Sequence, residues 1–200
     1  MANNRIDAAN AHIFGSDDDS LYLGAYDPDL AGKVTGLYAA VPSGFVDCGW
    51  ISEDGVGLTF DDSVTKIKGH QGHAVVKTFM DSSESALSAT LLESKLDSLR
   101  RYLDVRSASR ESEKVGSETK AVAKLVVPSS RKVITLSGIL DLFDVSGQGV
   151  KYRMVFPHLE LGERGELAFR AGEITAYEHT LSVLDDWLIL TDAPALVPSA

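Results

Sequence analysis

The chain has 200 residues, 44% of them hydrophobic and 24% charged, which is typical of one folded domain with a sizeable core. Its single cysteine, Cys48, excludes an intramolecular disulfide, and no stretch approaches the ~20 apolar residues of a membrane-spanning helix. The formal net charge of −10 argues against a protein that binds nucleic acid through clustered lysines and arginines. The N-terminus carries no pattern of an export signal.

The two ends of the chain are expected to be extended arms. Residues 1–33 are rich in Asn, Asp, Ala and Gly, and their only apolar run of three residues is at 21–23. They predict an N-terminal arm, with partial disorder as the alternative reading. Residues 191–200 contain two prolines, which disfavour a helix, and predict a C-terminal arm. The domain between the arms is expected to span residues 34–190.

Alternation of apolar and polar residues dominates this domain and predicts half-buried antiparallel strands. Three strands show the pattern most clearly, with these residues on one face: Val46, Cys48 and Trp50; Ala74, Val76, Thr78 and Met80; Val150, Tyr152, Met154 and Phe156. On the third strand, Lys151 and Arg153 are expected on the opposite, polar face. Further strands are predicted at residues 86–92, 121–127, 133–143, 167–171, 173–183 and 187–190. So many short strands joined by turn signals indicate a β-sandwich or barrel.

One segment breaks the alternation. Leu96, Leu99 and Leu103 recur at helical spacing and predict a helix over about residues 94–104, capped by Ser94, with its leucine stripe on the sheet. The residues that follow, 107–120, are polar, serine-rich and charged without periodicity. They predict an exposed loop whose role the sequence leaves open.

A long connection follows the strand near Cys48. Residues 48–56 read CGWISEDGV, and a polar stretch at residues 60–72 separates them from the next apolar run. This order predicts a strand that leads into a projecting loop over about residues 52–73, and such loops commonly carry binding surfaces. The predicted fold is therefore mainly β: an antiparallel β-sandwich or barrel flanked by one α-helix, with a long projecting loop and extended N- and C-terminal arms.

No sequence motif indicates a catalytic site. The sequence has neither a nucleophile elbow nor a phosphate-binding loop, and Cys48 on an apolar strand face should be inert, because burial raises a thiol pKa. His70 and His73 are the best metal candidates, with Asp61 and Asp62 nearby, but they lack a third firm ligand. The sequence predicts no enzyme, no cofactor and no metal site.

Several runs, taken in order, carry a resemblance to a known family. They are residues 49–56 (GWISEDGV), 64–69 (VTKIKG) with the strand that follows, 87–93 (LSATLLE) leading into the helix, 153–157 (RMVFP), 165–169 (GELAF) and 173–177 (EITAY). Together they extend over about residues 45–190. In these runs the chain resembles the major tail (tail tube) proteins of long-tailed, non-contractile bacteriophages, the siphoviruses.

The resemblance implies a structural virion protein without catalytic residues or cofactors. Such subunits form hexameric rings whose strands join across subunits, and the rings stack into the tail tube through which DNA is ejected. The implied partners are further copies of the chain, a tape-measure protein in the lumen, and tail terminator and distal tail proteins. Genomic DNA would pass without specific binding, and no membrane is involved. The implied location is the virion tail, after assembly in the host cytoplasm.

The resemblance also implies two sets of contact residues. The projecting loop would stack ring on ring, through Glu53, Asp54, Asp61, Asp62, Lys66, Lys68, His70 and His73. The arms would interlock with neighbouring subunits, through Ile13, Phe14, Leu21, Tyr22, Leu196 and Val197.

Two alternatives stay open. One is another ring-forming tail protein, such as a tail terminator or a head–tail joining protein. The other is a monomeric β-sandwich that binds a ligand, such as a carbohydrate, through Trp50, Trp187 or Tyr177. Because these aromatic residues alternate with polar neighbours, they are expected to lie in the core, with Trp50 as an anchor at the base of the loop.

Overall fold

A computed structural model describes residues 7–147 and 149–198 of the chain. Its strands are β1 (Ser20–Ala25), β2 (Val46–Asp47), β3 (Ile51–Lys68), β4 (Val75–Leu91), β5 (Ser107–Val115), β6 (Glu118–Val126), β7 (Ile134–Phe143), β8 (Lys151–Arg164), β9 (Tyr177–Val183) and β10 (Leu188–Thr191). The helices are α1 (Leu30–Lys33) and α2 (Leu96–Leu103), and a 3-10 turn spans Ala8–Asn10. The mainly β, antiparallel fold with a flanking helix is confirmed.

One large sheet has the strand order β2–β1–β7–β8–β9–β4–β3, with β10 paired to β8, and β5 and β6 form a separate hairpin. Strand β8 organises the sheet because it pairs with β7 along its length, with β10 through its first half and with β9 through its second half. Buried residues of β1, β4, β7, β8, β9 and α2 share one core cluster. The sheet therefore curves until distant strands face each other across a common apolar interior.

A second, smaller cluster covers the other face of β7 and β8. Leu30 and Val34, in and just after α1, pack there against Ile139 and Val155. Because β8 is thus covered on both faces, the charged side chains expected to face solvent cannot do so. Lys151 and Arg153 are both buried, so that expectation is wrong.

The prediction of an N-terminal arm over residues 1–33 is wrong for its second half. Strand β1 lies inside the sheet between β2 and β7, and Leu21 and Leu23 are fully buried in the main core. The run at residues 21–23 was too short to stand out by composition, yet its alternation gave it one apolar face. Residues 1–6 lie outside the described part of the chain.

The predicted helix is confirmed, and its predicted cap is not. Helix α2 spans Leu96–Leu103, with Leu99 and Leu103 packed on the core. Its N-cap residue is Lys95, which makes no side-chain cap hydrogen bond, while the Ser94 hydroxyl hydrogen-bonds to the Tyr177 hydroxyl at 2.8 Å. The Ser94 hydroxyl, which the local sequence assigned to the N-terminus of the helix, therefore bonds to the side chain of Tyr177 instead.

Two segments differ from their predicted secondary structure. Residues 107–120 are not a loop, because β5 and β6 pair in continuous register from Ser107 opposite Val126 to Val115 opposite Glu118. No residue of this hairpin is buried, and β5 is almost entirely polar, so its strand was not visible as an apolar alternation, whereas residues 121–126 of β6 lie within a predicted strand. Residues 167–171, predicted as a strand, have no regular structure.

Candidate functional site

The segment predicted as a projecting loop is a long two-stranded hairpin. Strands β3 and β4 pair from Ile51 opposite Leu91 out to Lys68 opposite Val75, and only the far end, residues 69–74, is a turn. Its outer half, residues 59–84, is here called the ribbon. Every residue of the ribbon except the half-buried Gly69 is exposed. The predicted projection is therefore present, and it is built as a β-ribbon.

The ribbon has two unpaired edges. Strand β3 ends the strand order of the main sheet, and β4 pairs with β9 only through its residues 85–91. Beyond that point the ribbon strands pair only with each other among the described residues. Unpaired backbone groups along such an edge are available for pairing with another chain.

One face of the ribbon continues the protein core. Leu87 is buried in the core and Leu58, directly opposite, packs against it. Since side chains alternate along a strand, the same face carries, further out, Phe60 and then the Val64–Met80 pair. Phe60 is 60% exposed, and Val64, Val75 and Met80 are each about half exposed. Apolar side chains therefore continue from the core onto an uncovered surface, where Asp62, Lys66 and Lys68 of the same face lie between them.

Charge is segregated along the hairpin. The outer part, residues 64–80, is here called the tip; it contains three lysines and two histidines and no Asp or Glu. The remainder, residues 51–63 and 81–91, is called the base; it contains six carboxylates and no Lys or Arg. Lys66, Lys68, His70 and His73 of the predicted set therefore lie in the tip, and Glu53, Asp54, Asp61 and Asp62 in the base.

The inner end of the hairpin is held by a tight turn at Gly49. Gly49 has φ of +81°, and its backbone N–H donates to Asp47 Oδ1 at 2.7 Å. The next residue, Trp50, donates its backbone N–H to Glu93 Oε1 at 2.8 Å. The turn reverses the side-chain alternation, and Trp50 is 71% exposed. The prediction that Trp50 anchors the base of the loop in the core is therefore wrong.

Cys48 lies on the inner side of this turn, as predicted. The residue is fully buried, and burial raises the pKa of its thiol to about 11. Arg101 of α2 contacts the sulfur through Nη2 at 3.6 Å. A thiol with such a pKa is a poor nucleophile at neutral pH, and the Cys48 side chain contributes to the packing of the core.

The predicted arm contacts divide into two groups. Leu21 is wrong as an intersubunit contact because it is fully buried in its own core, and Tyr22 is half-buried against the second cluster. Ile13, Phe14, Leu196 and Val197 are exposed. The C-terminal segment is anchored at Asp192, which accepts hydrogen bonds from the Tyr38 hydroxyl and from the Lys151 backbone N–H, so only the residues beyond it can reach outward.

Sequence reasoning missed a buried ionic group. Asp141 lies between Lys151 and Arg153, with all three side chains nearly inaccessible to solvent. The available signal was an acidic residue in the middle of the apolar run of β7, opposite two cations of β8. The register aligns Asp141 with Arg153 directly, and sequence alone does not supply that register.

Other chemistry finds no support among the described residues. No three His, Cys, Asp or Glu side chains in residues 7–147 and 149–198 group closely enough to hold a metal ion. In the same ranges no helix is long and apolar enough to cross a membrane.

Comparison with known proteins adds no family to this description. No family model matches the chain, and no curated protein matches it.

Proposed function

We propose that this chain is a self-assembling structural protein: the tail tube subunit of a long-tailed, non-contractile bacteriophage, forming hexameric rings that stack into the tail. The observation that carries the proposal is the ribbon, which has two free edges and exposed apolar side chains along one face. Single two-stranded ribbons are at best marginally stable in water, and exposed contiguous apolar surface usually marks a contact site. A neighbouring copy would supply both the missing strand and the missing apolar cover.

The remaining parts of the proposal follow from the resemblance. Rings would close by pairing of strands across subunits, and the ribbon would contact the next ring. A head-to-tail contact of this kind polymerises along its axis without closing. A tape-measure protein, a tail terminator and distal tail proteins are the proposed partners. DNA would move through the lumen, where the net negative charge of the subunits disfavours adhesion.

Removal of the ribbon tests the assembly role. Residues 60–85 would be replaced by Asn-Gly, which closes a tight hairpin between Thr59 and Ala86, two residues that are directly opposite in the native register. The change leaves Leu58 and Leu87 in place, so a folded protomer is expected. It should remain monomeric or form isolated rings, whereas the wild-type protein should form long tubes of uniform diameter under negative-stain microscopy.

A matched control removes the other exposed hairpin. Replacing residues 107–126 by a short Gly-Ser linker deletes a comparable length of strand that is also unburied. This variant should still form tubes. Normal tubes from the ribbonless variant would contradict the proposal, and wild-type protein that stops at isolated rings would favour a tail terminator or head–tail joining protein.

A second candidate rests on Trp50. Its exposed ring could stack on a carbohydrate in a monomeric ligand-binding β-sandwich. The other two aromatic residues do not form a surface with it: Tyr177 is buried, and Trp187 stacks on Phe156 with ring centroids 5.1 Å apart. A wild-type protein that stays monomeric, and whose tryptophan fluorescence shifts with a glycan but does not in Trp50→Ala, would favour this candidate.

A further inference from the structure

We propose that the ribbon tip docks on the ribbon base of a second copy of this chain. Lys66 and Lys68 would then face Asp62 along one face of the ribbon, and Lys77 would face Asp61 and Glu84 along the other, with Asp81 at the bulge beside Thr65. This inference rests on the proposed self-assembly and names the surfaces that meet in it.

The base contains an electrostatic conflict within its own protomer. Asp61 and Glu84 are directly opposite in the register, so their side chains are on the same exposed face. Like charges that are directly opposite across two strands destabilise the pair. None of the ion pairs in the described part of the chain involves either residue. A cation from outside the protomer would relieve this repulsion.

Two further base carboxylates are held in place and still have a free oxygen. Asp62 Oδ1 accepts a hydrogen bond from the Ser83 hydroxyl at 2.6 Å, and Asp81 Oδ2 accepts one from the Thr65 hydroxyl at 2.7 Å. These bonds cross from one strand to the other and therefore orient both carboxylates on the ribbon surface. These two carboxylates are pre-positioned, which lowers the entropy cost of docking a cation.

The tip has the complementary character. Its three lysines make no ion pair with any described residue. Exposed apolar side chains interleave with them: Ile67 is opposite Lys77, and Val75 is opposite Lys68. The formal net charge is −10 for the whole chain and +3 for the tip, so it is −13 for the remainder. The tip of one copy is therefore attracted electrostatically to the rest of another copy.

The spacing along the ribbon favours an offset between copies. Six residues separate Asp61 from Ile67, which corresponds to about 20 Å along a strand. Two ribbons aligned in parallel and shifted by about this length would place a tip beside a base and leave the next tip free. Such a contact repeats without closing, as ring stacking requires. An antiparallel pair of ribbons would satisfy both tips and bases at once and would stop at a dimer.

A charge-swap pair tests the contact in the full-length protein. The tip-reversed variant carries Lys66→Glu, Lys68→Glu and Lys77→Glu, and the base-reversed variant carries Asp61→Lys, Asp62→Lys, Asp81→Lys and Glu84→Lys. In either variant alone, the tip and the base carry charges of the same sign. The protein concentration required for tube formation should therefore rise at least about tenfold. Mixed in equal amounts, the two should form tubes again, because each tip then meets a base of opposite charge.

A matched control reverses three cations elsewhere. Arg106→Glu, Arg110→Glu and Lys114→Glu change the net charge by the same amount and lie at the β5–β6 hairpin. This variant should assemble at the wild-type concentration. Wild-type assembly should also weaken as salt is raised from 50 to 500 mM, since exposed charge contacts are screened. Circular dichroism of each variant would verify that the protomer is folded.

The outcomes separate this inference from the proposed function. Tubes from the tip-reversed variant at the wild-type concentration would overturn the tip–base contact and leave the tail tube proposal standing. Closed dimers that follow the charge-swap pattern would support the contact and overturn the tube. If the tip lysines instead serve nucleic acid, the tip-reversed variant would assemble normally and lose a duplex-DNA affinity that the wild type shows in a gel-shift assay; that result would overturn the inference. A wild-type protein that is monomeric at every concentration would overturn both proposals.

Discussion

Arg153 and Asp141 form a two-pronged ion pair inside the protein, with Nε 2.7 Å from Oδ1 and Nη2 2.6 Å from Oδ2. Lys151 Nζ adds a third contact to the same carboxylate at 3.0 Å. Arg153 Nη1 also donates to the carbonyl oxygens of Gly36 and Ala39. One buried carboxylate therefore holds β7 to β8, and its arginine partner fixes the loop after α1.

Removal of this carboxylate should be costly. In Asp141→Ala the two cations would stay buried without their anion, and the free energy of unfolding should fall by about 3–5 kcal/mol. Urea denaturation followed by circular dichroism measures the loss. Glu111→Ala is the control, since its ion pair with Lys124 lies on the surface and should contribute at most about 1 kcal/mol. Equal losses in the two variants would contradict a structural role for the buried group.

His179 should make the protein less stable in mild acid. The residue is buried, and burial lowers its pKa to about 4. The unfolded chain therefore binds a proton at about pH 6.5 that the folded protein does not bind until about pH 4. This stabilisation is complete above pH 6.5 and is lost as pH falls towards 4, which amounts to about 3 kcal/mol.

The measurement for His179 is the free energy of unfolding between pH 7 and pH 4 in the wild type and in His179→Gln. The difference between the two curves isolates His179, because the ionisable groups that both proteins share cancel in it. The variant should lose less stability than the wild type over this range. His70→Gln, at an exposed position, should follow the wild-type curve; parallel curves for all three proteins would rule the effect out.

Gly49 is required by the turn that starts the hairpin. A Cβ atom there would lie 2.2 Å from Glu93 Oε1, and the backbone has φ of +81°. Gly49→Ala should lower the free energy of unfolding by about 1–3 kcal/mol. Gly36→Ala is the matched control, because a Cβ at Gly36 meets nothing within 4 Å. Thermal melts of both variants would decide, and a melting temperature for Gly49→Ala equal to that of Gly36→Ala would refute the requirement.

Cys48 should resist modification in the native protein. Raising the thiol pKa from 9 to about 11 reduces the thiolate fraction near neutral pH by about a hundredfold, and burial adds a steric barrier. Absorbance with Ellman's reagent at pH 8 should show slow labelling in buffer and rapid labelling of one thiol in urea. Rapid labelling of the native protein would mean that the turn at Gly49 opens readily.

Local patterns in the sequence predicted a large part of the fold. The antiparallel β class, helix α2, the burial of Cys48 and the projection between two apolar runs all depend on alternation, helical spacing and turn residues that are legible without tertiary contacts. The errors share a physical cause. Strand β1 has one apolar face that composition did not reveal, and the exposed strand β5 has none, so in neither case did hydrophobicity indicate a strand.

The sequence by itself determined the acidic balance, the single thiol and the separation of lysines from carboxylates along residues 51–91, because these depend only on residue type and order. The tertiary structure decided which side chains are covered. Lys151 and Arg153 are buried because the segment around α1 covers the second face of β8, and Trp50 is exposed because the turn at Gly49 changes the strand face. It also set Asp61 opposite Glu84, since pairing register is a property of two strands together.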